Sequence, residues 1–361
     1  MRSRPVPQPH PESRQERKRA ALSAVSGNQA GRDSCPLSFC PLFSQPSGPA
    51  FLESLHGFCP NSAKMEAQRA ETDLYQTSFI LYIAIDDLLP VRGKSVPGLD
   101  EFAAALDHHG IPAVWLTNRT RLQIDEPRRK LAHTHPFIAE DGCGVFLPED
   151  YFHLRPQSST SKPRGTDTVR LGRFTCLPIA EQQPAASDAL EAVAAETGVS
   201  VVSLRSLPPR ELAQNTNLPP REAELARQRD FDELFFFAGA SQKDVEHFQA
   251  AGRSRNIQLR QRGVLWSLAI GASVRRCVGE LSKLYDRALR SHARTVAIST
   301  PGQGEGLFAV CDRAILLRDK TDHPPDESSM QATRQSHRVM ELPLLRDDTW
   351  DQLLATLSAK R

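Results

Sequence analysis

The chain has 361 residues, 24% of them charged, 39% hydrophobic, and a formal net charge of +2. So even a balance gives no basic footprint for nucleic acid, and no apolar run approaches the ~20 residues that a membrane span needs. The seven cysteines show neither a CxxC pair nor metal-ligand spacing, a pattern that fits reduced thiols in a cytoplasmic protein better than a disulfide framework.

Residues 1–64 hold nine prolines, and eight Lys/Arg against four Asp/Glu. Such a stretch cannot bury enough apolar surface to offset its ordering entropy. Its basic start, "MRSRPVPQPHPESRQERKR", has no apolar segment behind it and so does not read as a secretory signal; an Arg-rich organellar presequence is the alternative. Met65 opens a short lead-in to the first strand, and residues 1–75 are expected to be a disordered tail or a mis-assigned start.

From residue 79 strand-like and helix-like stretches alternate, which predicts a parallel sheet with helices on its faces. "FILYIAI" reads as a buried strand leading into Asp86 and Asp87, where open α/β sheets place their ligands. "VPGLDEFAAALDHHG" reads as a helix with Leu99, Phe102, Ala103 and Leu106 on one face and Gly110 as its stop. "IPAVWLTN" is the next strand, followed by the helix "RLQIDEPRRKLAH" despite Pro127. "PFIAEDGCGVFLP" reads as strand, acidic turn and strand. A Ser/Pro/Gly-rich linker at 156–167 opens a mixed region with the helix "SDALEAVAAETG", a helix-rich stretch through "PPREAELARQRD", and the strands "ELFFFAG" and "GVLWSLAI". Near the C-terminus "ARTVAIST" and "DRAILLRD" are two further buried strands around a Gly-rich loop. The expected fold is α/β: a doubly wound parallel sheet, first part 76–160 and second part 265–361, with an inserted α+β cap domain at 161–264.

Two strings resemble the mannosyl-3-phosphoglycerate phosphatases of the haloacid dehalogenase-like hydrolase superfamily. One is "LTNRTRLQIDEPRRKLAHTHPFIAEDGCGVFLPEDYF" (116–152). The other is "SLPPRELAQNTNLPPREAELARQRDFDELFFF" (206–237), which is similar to that family's cap segment. The family's Arg-aromatic-Asp-Glu-Pro-Phe string stands here as Arg229, Asp230, Phe231, Asp232, Glu233, Leu234, Phe235, without its proline. The resemblance runs collinearly from about 78 to 318, and it implies ancestry rather than activity.

The chemistry implied by the resemblance uses an Asp nucleophile and, two residues on, an Asp that works as acid and base. Here Asp86 matches the acid/base and Ala84 the nucleophile, and a methyl group cannot form an aspartyl-phosphate. Thr117 matches the hydroxyl that holds the phosphoryl group; read alone, it caps the next helix. Val274 stands where the family has a lysine. Arg275 and Arg276 beside it are either a substitute for that cation or, on the plainer reading, solvated residues of a helix's first turn. The Mg²⁺ cradle, which needs hard carboxylate oxygens, reads Ser299 and Thr300 for Gly-Asp, with Gly304 for the second acid. No cofactor is therefore predicted, although the family uses Mg²⁺.

Candidate substrate contacts are Asn118, Arg119 and Arg121 in the loop after Thr117, Glu140, Asp141 and Gly142 in the acidic turn, and Arg229, Asp232 and Glu233 in the cap string. The plain alternatives are a polar loop, a tight Asp-Gly turn and unpaired charges on a helix end. His133, His135 and His153 are scattered and are assigned no metal. Two functional classes follow. The first is a catalytically inactive or impaired family member that binds a sugar phosphate, a phosphoglycerate-type ligand or a protein partner; the second is an active Mg²⁺-dependent sugar-phosphate phosphatase.

Overall fold

A computed structural model describes residues 79–91, 94–152, 168–318, 339–346 and 348–358. The expectations for residues 1–75, for His153 and for the 156–167 linker lie outside the described residues. In chain order the first elements are β1 (Phe79–Ala84), α1 (Leu99–His108), β2 (Ala113–Leu116), α2 (Arg121–Lys130), β3 (Phe137–Ala139) and β4 (Gly144–Leu147). There follow β5 (Val169–Leu171), β6 (Phe174–Pro178), α3 (Gln183–Thr197), β7 (Val201–Ser203), α4 (Pro209–Thr216), α5 (Pro220–Arg227) and β8 (Glu233–Phe237). Next come α6 (Gln242–Ser254), β9 (Ile257–Arg262), β10 (Leu265–Ile270) and α7 (Val274–Leu289). The last are β11 (Arg294–Ser299), α8 (Glu305–Phe308), β12 (Arg313–Leu317), β13 (Val339–Leu342) and α9 (Thr349–Ser358).

The large sheet has nine strands in the order β13-β12-β11-β1-β2-β3-β4-β6-β5. From β13 to β3 all pairings are parallel, and β4, β6 and β5 extend the sheet antiparallel. β1 is central and apolar throughout because helices cover both faces of a parallel sheet. Leu81 and Ile83 pack with Leu99, Phe102 and Trp350 on one face, and Ile80, Tyr82 and Ala84 with Cys277, Leu281 and Leu307 on the other.

Local chemistry fixes the helices. Thr120 and Gln123 form a reciprocal capping box at the start of α2, satisfying two backbone donors that a helix end leaves free. Pro127 lies inside that helix and removes one internal hydrogen bond without ending it. In α1 the buried residues Leu99, Phe102 and Leu106 recur at helical spacing, and Phe102 stacks on Trp350 of α9 with ring centroids 4.7 Å apart.

The second sheet, β7-β8-β10-β9, is antiparallel. One face buries Phe235, Leu268 and Trp266 with Leu190 and Val193 of α3 and Phe248 of α6; Leu234 and Phe236 on the other pack with Leu212 of α4 and Ala223 of α5. This unit does not coincide with the 161–264 expected for the cap. β5 and β6 continue the large sheet, while β10, beyond 264, is an inner strand of the small one. An apolar strand such as β10 reads alike in either sheet, so its run of residues did not mark the boundary. α6, β9, β13 and α9 are further elements that the sequence pattern did not single out. No helix among the described residues is long and apolar enough to cross a membrane.

Candidate functional site

The C-terminal ends of β1, β2 and β11 meet the first turn of α7 and the acidic turn between β3 and β4. Ala84 closes β1 and is 3% exposed. A Cβ placed on Gly304 would stand 2.9 Å from the Ala84 methyl and 3.0 Å from Ser299 Oγ, so only glycine fits, and its φ of +57° suits glycine as well. Val274, the first residue of α7, is 8% exposed. It lies against Gly306, whose added Cβ would come within 3.2 Å of the valine Cβ, and against Gly142, whose added Cβ would stand 2.7 Å from the valine backbone nitrogen. Ala84, Gly304, Gly142 and Val274 therefore form a close-packed seam of methyl groups and backbone.

Polar groups surround this seam, and they are bonded to one another. Thr117 donates its hydroxyl to Asp86 Oδ1 at 2.5 Å, and the Asn118 backbone N–H donates to Oδ2 at 2.8 Å. Arg119 Nε lies 3.4 Å from Asp86 Oδ1, while its Nη2 donates to the carbonyls of Asp86 and Leu89. Burial pushes the Asp86 carboxyl above its ordinary value, against the opposing pull of Arg119, the Asn118 amide and the Thr117 hydroxyl. Thr300 donates to Asp87 Oδ2 at 2.5 Å, and the fully buried Ser299 hydroxyl turns back to the carbonyls of Thr300 and Gln303.

These residues do not suit Mg²⁺. The ion needs free hard oxygens in near-octahedral array; here both Asp86 oxygens accept local N–H and O–H donors, and the hydroxyls at 299 and 300 face away to their own partners. Among the described residues no group of three or more His, Cys, Asp or Glu is placed to hold an ion.

The acidic turn joins the two sheets. Glu140, Asp141 and Gly142 have φ of +51°, +55° and +94°. Glu140 is fully buried, and its carboxylate accepts the backbone N–H groups of Asp230, Phe231 and Asp232 at 2.9, 2.9 and 3.0 Å. Asp141 pairs with Arg262 and lies 3.7 Å from Arg260 Nη1, which also donates to the Asp141 carbonyl at 2.5 Å. Arg121 of α2 pairs with Asp230 at 2.8 Å.

The cap-string charges are not unpaired residues on a helix end. Arg229 and Asp232 lie between α5 and β8, are 8% and 2% exposed, and form a two-contact ion pair. Arg229 also donates to the Asn118 carbonyl at 2.7 Å. Burial alone would lower its guanidinium, but Asp232 and Glu140 outweigh that and hold it above its ordinary value. Glu233, the first residue of β8, accepts from Gln183 and Ser203. Arg275 and Arg276 are exposed and donate to the carbonyls of Ala309 and Ile179. His133 and His135 are neighbours, with ring centroids 5.8 Å apart: His133 bonds to the Ala113 carbonyl and His135 to the Tyr151 hydroxyl. Arg260 and Arg262 are the site residues that sequence reasoning missed. Their only sequence signal is two arginines at i and i+2, which puts both on one face of a strand.

No family model matches the chain. It is 27% identical over 159 residues to a glucosyl-3-phosphoglycerate/mannosyl-3-phosphoglycerate phosphatase of Methanococcoides burtonii, a match that covers 43% of this chain and 54% of the other. The chain thus spans about half the length of that relative. It is 23% identical over 226 residues to the enzyme of the same name from Persephonella marina, covering 62% and 77% of the two chains. With a mannosyl-3-phosphoglycerate phosphatase of Pyrococcus furiosus it shares 26% identity over 157 residues, 44% and 60% of the two. Among solved structures, a HAD-superfamily phosphatase of Bacteroides thetaiotaomicron superposes with a TM-score of 0.51 at 12% identity, over 78% of this chain and 96% of the other. A protein of Thermoplasma acidophilum gives 0.51 at 13% identity, over 78% and 98%. The mixed sheet with its appended small sheet is the haloacid dehalogenase-like fold. Within that fold, the chain is similar in sequence to the mannosyl-3-phosphoglycerate phosphatases.

Proposed function

We propose that this chain is a non-catalytic member of its family, which keeps the two-sheet scaffold for binding an anionic sugar of the sugar-phosphate or phosphoglycerate type. The observation that carries the reading is the contact between Ala84 and the Gly304 turn. At the nucleophile position stands a methyl group, 3% exposed, with the backbone of the next loop packed against it. In-line attack on phosphorus needs a nucleophile and a charge clamp held at contact distance; here Ala84, Val274 and Gly304 occupy those positions. The names of the relatives support the ligand class.

An active phosphatase is the second reading, and Asp86 favours it. Burial raises its carboxyl, as a general acid needs, and Thr117 remains beside it. An acid without a nucleophile leaves the phosphorus–oxygen bond unattacked, so the first reading stands. The test is a phosphatase assay with Mg²⁺ on p-nitrophenyl phosphate and on mannosyl-3-phosphoglycerate. The expected outcome is no turnover above that of Asp86→Asn; turnover that Asp86→Asn abolishes overturns the proposal.

A further inference from the structure

The small sheet and the segment leading into its β8 offer two sets of anion donors, and the β3–β4 turn of the large sheet fills both with its carboxylates. The first set is three successive backbone N–H groups, Asp230 to Asp232, converging on Glu140; successive amides aimed at one point make an anion-binding concavity. The second is Arg260 and Arg262. They lie on one face of β9 because they are two residues apart, and both are aimed at Asp141. Glu140 and Asp141 are adjacent and both left-handed, so one tight turn presents both acids to the small sheet.

That turn is tied down on its other side as well. The Glu140 N–H donates to the Arg119 carbonyl at 3.3 Å, the Asp141 N–H to the Thr117 carbonyl at 3.1 Å, and the Ser273 N–H to the Gly142 carbonyl at 2.9 Å. The turn is thus anchored to the loop after β2 and to the start of α7, where the family's chemistry is sited.

We infer that the Glu140–Gly142 turn is a latch: it holds the two sheets together by seating core carboxylates on the small sheet's anion donors, and a phosphate or carboxylate ligand enters by displacing Asp141 from Arg260 and Arg262. This deepens the proposed binding role and rests on it. Glu140, fully buried with three N–H partners, is the fixed half of the latch. Asp141 and its two arginines, each partly exposed, are the half that a competing anion reaches.

The experiment is calorimetry with inorganic phosphate in EDTA, on the full chain and on Asp141→Asn. Removing the competing charge is expected to raise phosphate affinity about tenfold, within the usual range of coupling between two sites. Adding R260Q and R262Q to Asp141→Asn should abolish the gain. Equal affinity in wild type and a folded Asp141→Asn overturns the latch, as does a gain that survives loss of both arginines. If Asp141→Asn does not fold, hydrogen exchange on the wild-type chain decides. Amides 140–142 should exchange faster in phosphate than in chloride of equal ionic strength, and equal exchange overturns the proposal. None of these measurements reads turnover, so the latch and the absence of catalysis fail separately.

Discussion

Thr117 donates a hydrogen bond to Asp86 Oδ1 across 2.5 Å, so the hydroxyl that follows β2 and the acid that follows β1 are each other's partners. Arg119 and the Asn118 amide complete the ring around that carboxylate. A buried acid placed this way helps to hold the loop after β2, whether or not a substrate is present. The side-chain donors named in this loop are already engaged inside the protein, and a ligand has to compete for them.

On the proposed reading, an acid placed at position 84 alone yields no phosphatase activity. Ala84→Asp would bury a second carboxylate in the seam beside Gly304, near Asp86 and away from any cation at position 274. An uncompensated buried charge of this kind costs on the order of 3–5 kcal/mol. The expected outcome is a lower melting temperature with no gain in Mg²⁺-dependent phosphatase activity, read by a thermal melt and an aryl phosphate assay. A stable, active A84D would mean that the seam yields and that the site still supports catalysis.

The sequence made parts of this arrangement legible and hid others for physical reasons. β1, β2 and β11 could be read because a central parallel strand is apolar on both faces, and the ends of these strands located Ala84, Thr117 and Thr300. Arg229 looked like a free helix-end charge, since its immediate neighbours are polar. Its second partner, the Asn118 carbonyl, is 111 residues away, and pairing over that distance leaves no local pattern. The same holds for Arg260 and the Asp141 carbonyl, 119 residues apart. Val274 was legible as a departure from the family's lysine, but its contact with Gly142 and Gly306 follows only from the meeting of α7 with two loops.

Asp86 should give stability a pH signature. Its folded-state carboxyl lies above the ordinary 3.8, so the folded chain holds that proton more tightly than the unfolded one. Its contribution is greatest below 3.8 and is lost as pH rises through the folded value. Asp86→Asn removes this slope. The stability difference between Asp86→Asn and wild type, from urea melts, should therefore move in favour of the variant between acid and neutral pH. A pH-independent difference would mean that Asp86 titrates alike in both states.

His133 acts in the opposite sense. Burial, with Arg128 beside it, holds its imidazole well below 6.5, and His135 is lowered too, chiefly by burial. The unfolded chain then takes up protons that the folded chain refuses. Stability is full above 6.5 and falls as pH drops below it, by up to about 1.4 kcal/mol per pH unit for each histidine. Urea melts at neutral and mildly acidic pH should show this loss. His133→Gln, which keeps a donor for the Ala113 carbonyl, should flatten it; an unchanged slope would assign the loss to other groups.

The Arg229–Asp232 pair separates a packing role from a ligand role in the cap string. Removing the arginine strands a carboxylate that is 2% exposed and leaves the Asn118 carbonyl without its donor. Arg229→Met should thus destabilise by about 3–5 kcal/mol. Asp232→Asn leaves the guanidinium its bond to Asn118 and the neighbouring Glu140 charge, so it should cost less. Replacing both, R229M with D232L, removes the buried charges together and should recover part of the loss. The double-mutant cycle by urea denaturation checks this, with a coupling energy of about 0.5–3 kcal/mol for residues in contact. Additive losses, or an Arg229→Met protein as stable as wild type, would show that the pair does not hold the cap string and would return Arg229 to the list of side chains free to bind a ligand.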